Sequence, residues 1–307
     1  MAHTLPLLLS ATGSLEGPVA AAEPLTGKNP RPTVSIRPSH GWISLGLGEV
    51  WAFRELLFLI AWRDVKVRYK QTSLGFAWAI IPPLMTMVAF SLVFGGIAKI
   101  PSDGLPYPVF AYSGLVPWLY FSSSVGRAGT SLVANAGLIS KVYFPRLVVP
   151  LAAVLTPVVD FLFSMLILAG LIGGYDIAGY HIVPTWGTLA LPAFVLLAMA
   201  TALAVSLWLS ALNVKYRDVG FGIAFLTQFW MYLSPLMYPV SLVPHQWRLL
   251  YSINPMAGVI EGFRWGLLGK ASPDFGVMAV GAVAVAVLLF GGLVYFKRTE
   301  RTFVDHV

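Results

Sequence analysis

An all-α integral membrane protein is the fold class this sequence predicts. It would have six transmembrane helices, an N-terminal amphipathic interface helix and re-entrant external helices before the last span. Three observations carry the prediction. The 307 residues are 57% hydrophobic and only 11% charged, against about 25% charged in a soluble domain, and the mean hydropathy is +0.77. Apolar stretches at 74–98, 107–128, 147–174, 187–212, 219–240 and 275–296 each approach or exceed the roughly 20 residues that cross a bilayer core as a helix. Lys and Arg collect in the segments that would lie on one side of those stretches.

Residues 1–47 are rich in Pro, Gly, Ser and Ala without a lasting hydrophobic period, the composition of a flexible cytoplasmic tail. Leu5 to Leu9 followed by Ala20-Ala21-Ala22 imitates a signal peptide. The apolar core is too short for one, and no Lys or Arg precedes it.

Residues 48–73 read as the interface helix. Val50 to Trp62 is apolar and aromatic, with only Arg54 and Glu55 charged, and the basic run Arg63 to Gln71 follows. That pattern suits a helix lying in the cytoplasmic interface. On a helix, Arg63, Lys66 and Lys70 share one face, Trp62, Val65 and Tyr69 share another, and Arg68 lies opposite the basic face. Such a cluster can anchor the chain on anionic headgroups, at about 1 kcal/mol per cation. It can also recruit a phosphate-bearing lipid substrate, and the two roles are compatible.

Residues 74–296 form the transmembrane domain. Pro82-Pro83, Pro117, Pro157, Pro192 and Pro235 fall inside its apolar runs, which neighbouring helices make tolerable by satisfying the freed carbonyls. The segment 241–272 is broken by Pro244 and Pro255. It is too interrupted for a seventh span and suits a re-entrant hairpin. Within it, Glu261 and Arg264 stand three apart and can pair, a structural arrangement more than a catalytic one. Residues 297–307 form a second cytoplasmic tail.

Orientation follows from the loops. Arg63, Lys66, Arg68, Lys70, Arg127, Lys141, Arg146, Lys215, Arg217, Lys297, Arg298 and Arg301 fall on one side; the other holds Lys99, Arg248, Arg264 and Lys270. The positive-inside rule puts both termini in the cytoplasm, and an even number of spans requires the same. Basic loops also explain the net charge of +7 better than nucleic-acid binding, which would cluster the cations on one exposed surface.

Enzyme signatures are missing from the sequence. There is no cysteine, which excludes disulfides, thiolate metal sites and a cysteine nucleophile. Gly27-Lys28-Asn29 and Gly269-Lys270-Ala271 both lack the hydroxyl of a phosphate-binding loop, and no HExxH or GxSxG occurs. Asp160 lies within the third apolar stretch, where an acid is a functional candidate. It stands alone there, so a buried hydrogen-bonding role is favoured over a proton relay. Tyr107, Tyr112, Tyr175, Tyr180, Trp186, Tyr238 and Trp247 suit an outer interfacial belt. Trp118 and Tyr232 sit deeper, and with Tyr107 and Tyr238 they are candidates to line a pore, because aromatic faces suit sugar rings.

Two cytoplasmic segments remain. In the loop Ser131 to Arg146, Leu138, Ile139, Val142 and Tyr143 present an apolar face beside Lys141 and Arg146. Read by itself, this is an interfacial loop or a partner-docking surface. The short turn Asn213 to Val219, with Lys215 and Arg217, either braces itself or touches a partner.

The run WRDVKVRYKQTSLGFAWAIIPP at 62–83 resembles the hallmark of permease subunits of ABC-2 type polysaccharide exporters, which export O-antigen, capsule or teichoic acid chains. SGLVPWLYF at 113–121, LISKVYFPRLVVP at 138–150, NVKYRDV at 213–219 and NPMAGVIEGFRWGLLG at 254–269 fit the same family in order. The resemblance spans about residues 48–300. It implies a homodimer in the bacterial cytoplasmic membrane, paired with two ATP-binding subunits that supply the ATP and Mg sites; this chain would hold no cofactor and no metal. Arg63, Lys66 and Lys70, with Arg68, would gather the pyrophosphate end of a lipid-linked polysaccharide. Leu138, Ile139, Lys141, Tyr143, Lys215 and Arg217 would dock the partner, and 241–272 would cap the pore. The rivals are an ABC-2 exporter of drugs or lipids and, from another class, a membrane-embedded glycosyltransferase.

Overall fold

The computed structural model describes residues 47–70, 77–182, 186–269, 275–300 and 303. Contacts divide the chain into Met1–Gly41 and Trp42–Val307, and all described residues belong to the second unit. The expected N-terminal tail (but for Leu47), the Leu74-Gly75-Phe76 portion of the entrance run, Lys270 and most of the C-terminal tail lie outside the described residues. Among those described there are helices and no strands.

Helices α1 (Leu47–Ala52) and α2 (Arg54–Lys70) are separated by a turn at Phe53. The apolar and basic residues of α2 segregate along its axis more than around it. Ile60 and Ala61 are buried while Phe58, Leu59 and Trp62 are exposed, so apolar side chains occupy both sides of the first half. The amphipathic pattern expected over 48–73 is therefore weak, and Val67 of the basic half is exposed as well.

Helix α3 (Ala77–Phe90) contains Pro82-Pro83 and runs on into a π-helical turn, Ser91–Ile97. The Thr86 hydroxyl donates to the Pro82 carbonyl at 2.9 Å. Helix α4 (Tyr107–Ala134) is the central element, buried along most of its length despite Pro117. It packs against α3, α6 (Val148–Leu155), α7 (Val158–Tyr175), α8 (Leu191–Lys215), α9 (Val219–Tyr232) and α11 (Pro255–Leu268). The one-turn α5 (Ala136–Ile139) follows α4. Pro157 divides the third apolar stretch into α6 and α7, as a residue without a backbone N–H does inside a helix. Pro192 sits at the start of α8, where the missing donor costs nothing.

Among the described residues, four helical runs are long and apolar enough to cross a membrane: Ala77–Ile97, Val148–Tyr180, Trp186–Lys215 and Phe275–Thr299 (α12). They match four of the six expected stretches. Helix α4 has 28 residues and is long enough, but its serines, glycines and Arg127 make it less apolar. Helix α9 has only 14 residues, where a longer run was expected. It stops at Tyr232, before Ser234-Pro235, because the residue ahead of a proline is forced out of the helical region.

The expected hairpin at 241–272 contains two short helices, α10 (His245–Tyr251) and α11. Pro244 caps the first and Pro255 opens the second, with the Asn254 side chain accepting from the Met256 N–H at 3.1 Å. Helix α11 is almost wholly buried against α4, α8 and α12. One buried cluster joins α4, α7, α8 and α11; a second joins Ile60 and Ala61 of α2 to Phe144, Leu147, Phe296 and Phe303.

Candidate functional site

The basic run and the third span meet at one place. The last turns of α2 carry Arg68 and Tyr69 toward Asp160 in the first turn of α7. Arg68 Nη1 pairs with Asp160 Oδ2, and the Tyr69 hydroxyl donates to Asp160 Oδ1. Burial first, and the hydrogen bond to Asp160 second, push the Tyr69 phenol above its ordinary range, so it keeps its proton and goes on donating. Asp160 therefore does not stand alone, and this corrects the sequence reading. Its hydrogen-bonding role is present, with a cation added. Both partners come from α2, and Tyr69 is 91 residues away in sequence.

The other basic residues lie outward. Arg63, Lys66 and Lys70 are exposed while Arg68 is half-buried, as their helical spacing predicted. Arg63 is held by Asp64 at 2.8 Å and reaches Asn135 Oδ1 at 3.1 Å, which ties α2 to the end of α4. Lys66 Nζ stands 5.6 Å over the Trp62 ring. Sequence spacing separated these faces correctly but directed attention to the outer one.

A cavity of about 500 Å³ opens beside the Arg68–Asp160 pair, between α2, α3, α4, α7 and α9. Arg68 and Asp160 are its charged wall. Trp78, Pro82, Leu119 and Phe161 give apolar surface, and Ser122, Ser123, Ser164 and Thr227 bring hydroxyls. Arg127 of α4 lies within electrostatic range of Arg68, Asp160, Asp64 and Tyr69. The space thus has an ionic edge and a largely apolar wall, which suits an amphipathic anion. Among the described residues no group of three His, Cys, Asp or Glu comes together to hold a metal ion.

The expected pore aromatics differ in exposure. Trp118 is 3% exposed and lies tilted against Phe121 at 5.3 Å, inside the protein. Tyr107 is half-buried and donates to the Met237 carbonyl at 2.8 Å. Tyr232 is exposed on α9, and the Tyr238 hydroxyl lies 3.2 Å from that of Tyr251. Tyr238 also borders a second cavity of about 490 Å³ with Trp230, Trp247 and Tyr251.

The expected docking face is split. Leu138 and Ile139 turn inward onto the cluster of Phe144 and Leu147, while Lys141, Val142 and Tyr143 are exposed. Lys215 and Arg217 are exposed in the turn between α8 and α9, and Lys215 Nζ lies 5.2 Å from the Tyr216 ring centroid. Asp218 precedes α9 without a side-chain capping bond. The loop is fastened to the end of α12: Arg146 donates to the Glu300 carbonyl, and its guanidinium stands 5.9 Å over the Phe303 ring.

One buried feature exceeded the sequence reading. Arg264 and Glu261 do pair, at 3.6 Å. Arg264 is also 3% exposed, stacked 3.7 Å over the Phe110 ring and donating to the Leu236 carbonyl at 3.0 Å. An arginine inside an otherwise apolar helix pattern was the available signal.

Known proteins resemble this chain over most of its length. The chain is 30% identical over 260 residues to the O-antigen export system permease protein RfbA of Myxococcus xanthus, covering 82% of this chain and 96% of that one. It is 26% identical over 251 residues to RfbA of Klebsiella pneumoniae, covering 82% and 94%. It is 24% identical over 254 residues to the polysialic acid transport protein KpsM of Escherichia coli, covering 80% and 93%. The family model described as ABC-2 type transporter matches residues 55–268, from the first turn of α2 to the last residue of α11. A match that takes in the basic helix, the cavity and the buried hairpin together places the chain in the ABC-2 type transporter family.

Proposed function

We propose that this chain is the membrane-spanning subunit of an ATP-driven exporter that moves a lipid-linked polysaccharide across the bacterial cytoplasmic membrane. The observation that carries this reading is similarity over four-fifths of the chain to permeases named for O-antigen export and polysialic acid transport. The chain works as a homodimer with two ATP-binding subunits, which supply ATP and Mg. It has six spans, with α4 and α9 completing the four most apolar ones, and both termini are cytoplasmic. Helix α2 lies in the cytoplasmic interface, and α10 and α11 form a re-entrant cap.

In this reading Arg63, Lys66 and Lys70 are the collecting surface for the phosphate end of the lipid, and Arg68 is the innermost cation of the entrance. Their exposures support it: three outward cations lead to one beside a cavity. Tyr232 and Tyr238 face the sugar path, with Tyr107 and Trp118 packed behind them. Lys141, Tyr143, Lys215 and Arg217 touch the ATP-binding subunit, and Leu138 and Ile139 hold that loop on its cluster.

Deleting the gene tests this directly. Surface polysaccharide should disappear while lipid-linked polymer accumulates inside the cell, and the intact gene should restore export. Normal surface polysaccharide in the deletion strain, with a drug or simple lipid retained instead, would support the rival exporter reading.

A further inference from the structure

Arg68 meets Asp160 through one guanidinium nitrogen. Its side chain is 31% exposed at the edge of the cavity, against 19% for Asp160. A guanidinium has five donors in a planar fork and takes phosphate oxygens two at a time, so this pairing leaves much of the fork unused. The Arg127 side chain makes no hydrogen bond or ion pair among the described residues, yet it feels Arg68 and Asp160 electrostatically. Arg127 directly follows Gly126 of the cavity wall on α4, so two arginines lie within electrostatic range of one carboxylate. Asp160 is fully engaged: one oxygen accepts from Tyr69, the other meets Arg68.

Resting on the entrance reading above, we propose that Arg68 and Arg127 seat the phosphate end of a lipid-borne substrate at the cavity mouth, and that Asp160 is a built-in competitor holding Arg68 until phosphate displaces it. A phosphate brings more charge and more acceptor oxygens than a carboxylate, so it wins the fork when present. Asp160 keeps the Tyr69 hydrogen bond after Arg68 leaves. The loaded site therefore does not leave a lone carboxylate among apolar residues, an arrangement that would cost several kcal/mol. The apolar wall of Trp78, Pro82, Leu119 and Phe161 favours a lipid-borne phosphate over a free one. Exchange of partners also loosens α2 from α7, so loading of the entrance is felt by the third span.

The test uses the full-length chain in phosphatidylcholine nanodiscs, with farnesyl diphosphate and inorganic pyrophosphate as probes in calorimetric titrations. Farnesyl diphosphate should bind at least about tenfold more tightly than pyrophosphate, because only it buries apolar surface. Arg68→Gln and Arg127→Gln should each weaken it about tenfold, while Arg298→Gln, outside the cavity, should not. Asp160→Asn should tighten binding about threefold or more by freeing Arg68, and Asp160→Glu should stay near wild type. Weaker binding in Asp160→Asn would mean that the carboxylate merely positions Arg68, and the competitor would be overturned. Equal binding of the two probes would overturn the lipid-borne part, and binding of neither would overturn the site.

A second measurement keeps the native pair. Spin labels at Val67→Cys and Leu162→Cys, both exposed positions in a cysteine-free chain, report the α2–α7 separation. Bound farnesyl diphosphate should shift or broaden that distance, and an unchanged distribution at saturation would overturn displacement. These arms read binding without export. Failure here leaves the gene-deletion result standing, and an export-competent deletion strain would sink the transport reading while leaving these binding results intact.

Discussion

Two residues apart on α2, Lys66 lies over Trp62 on the outer side while Arg68 reaches inward to Asp160. Their contributions should differ accordingly. Removing one partner of a fully buried ion pair costs about 3–5 kcal/mol, and partial exposure of Arg68 and Asp160 lowers that to roughly 1–2 kcal/mol. Lys66 is replaceable by neighbouring cations at about 1 kcal/mol. Arg68→Gln should therefore depress surface polysaccharide several-fold more than Lys66→Gln in a deletion strain complemented at matched expression. Equal effects would make the run a topology anchor. Sequence spacing placed Arg68 opposite the outer basic face correctly. What occupied that opposite side was not legible, because helical periodicity names a face and never the distant residue that meets it. Asp160 read as solitary for the same reason.

At the scale of elements, α11 shows what burial demands of a polar side chain. Arg264 is enclosed by Phe110, Glu261 and the Leu236 carbonyl, so Arg264→Ala strands Glu261 and opens a void. The expected loss is about 3–5 kcal/mol, read as a lower unfolding midpoint in detergent. Gly262 gives a second handle on the same helix. A Cβ there would lie 2.4 Å from the Phe194 ring, and overpacking of this kind costs about 1–3 kcal/mol. Gly262→Ala should destabilise measurably, and an unchanged midpoint would contradict the close α8–α11 contact. Prolines made this region readable: Pro244 and Pro255 open α10 and α11 where the sequence implied a broken hairpin. Hydropathy was less informative at α9, since the apolar run continues past the Ser234-Pro235 stop. The docking loop was half legible, because Leu138 and Tyr143 are similar in hydropathic role but only tertiary packing decides which one turns inward.

For the whole molecule, composition and charge distribution made the membrane class legible, and the order of motifs carried the family. Helix packing around α4 was not legible, since helices that are apolar on every side give no periodic clue to their neighbours. The absence of cysteine makes orientation testable. Ser140, Ala178 and Gln246 are all exposed, so each can be replaced by Cys and probed with an impermeant thiol reagent in cells whose outer barrier admits it. Labelling is expected at Ala178→Cys and Gln246→Cys but not at Ser140→Cys, and reversal would invert the topology. Direct transport is a sharper test. Inverted membrane vesicles carrying the chain with its ATP-binding subunit can be supplied with radiolabelled lipid-linked polysaccharide on their exposed cytoplasmic face. With ATP, the polymer should become protected from an added glycosidase in the wild type, and much less so in Arg68→Gln. Polymer that stays fully cleavable with ATP present, in vesicles whose ATPase is active, would contradict polysaccharide export by this chain.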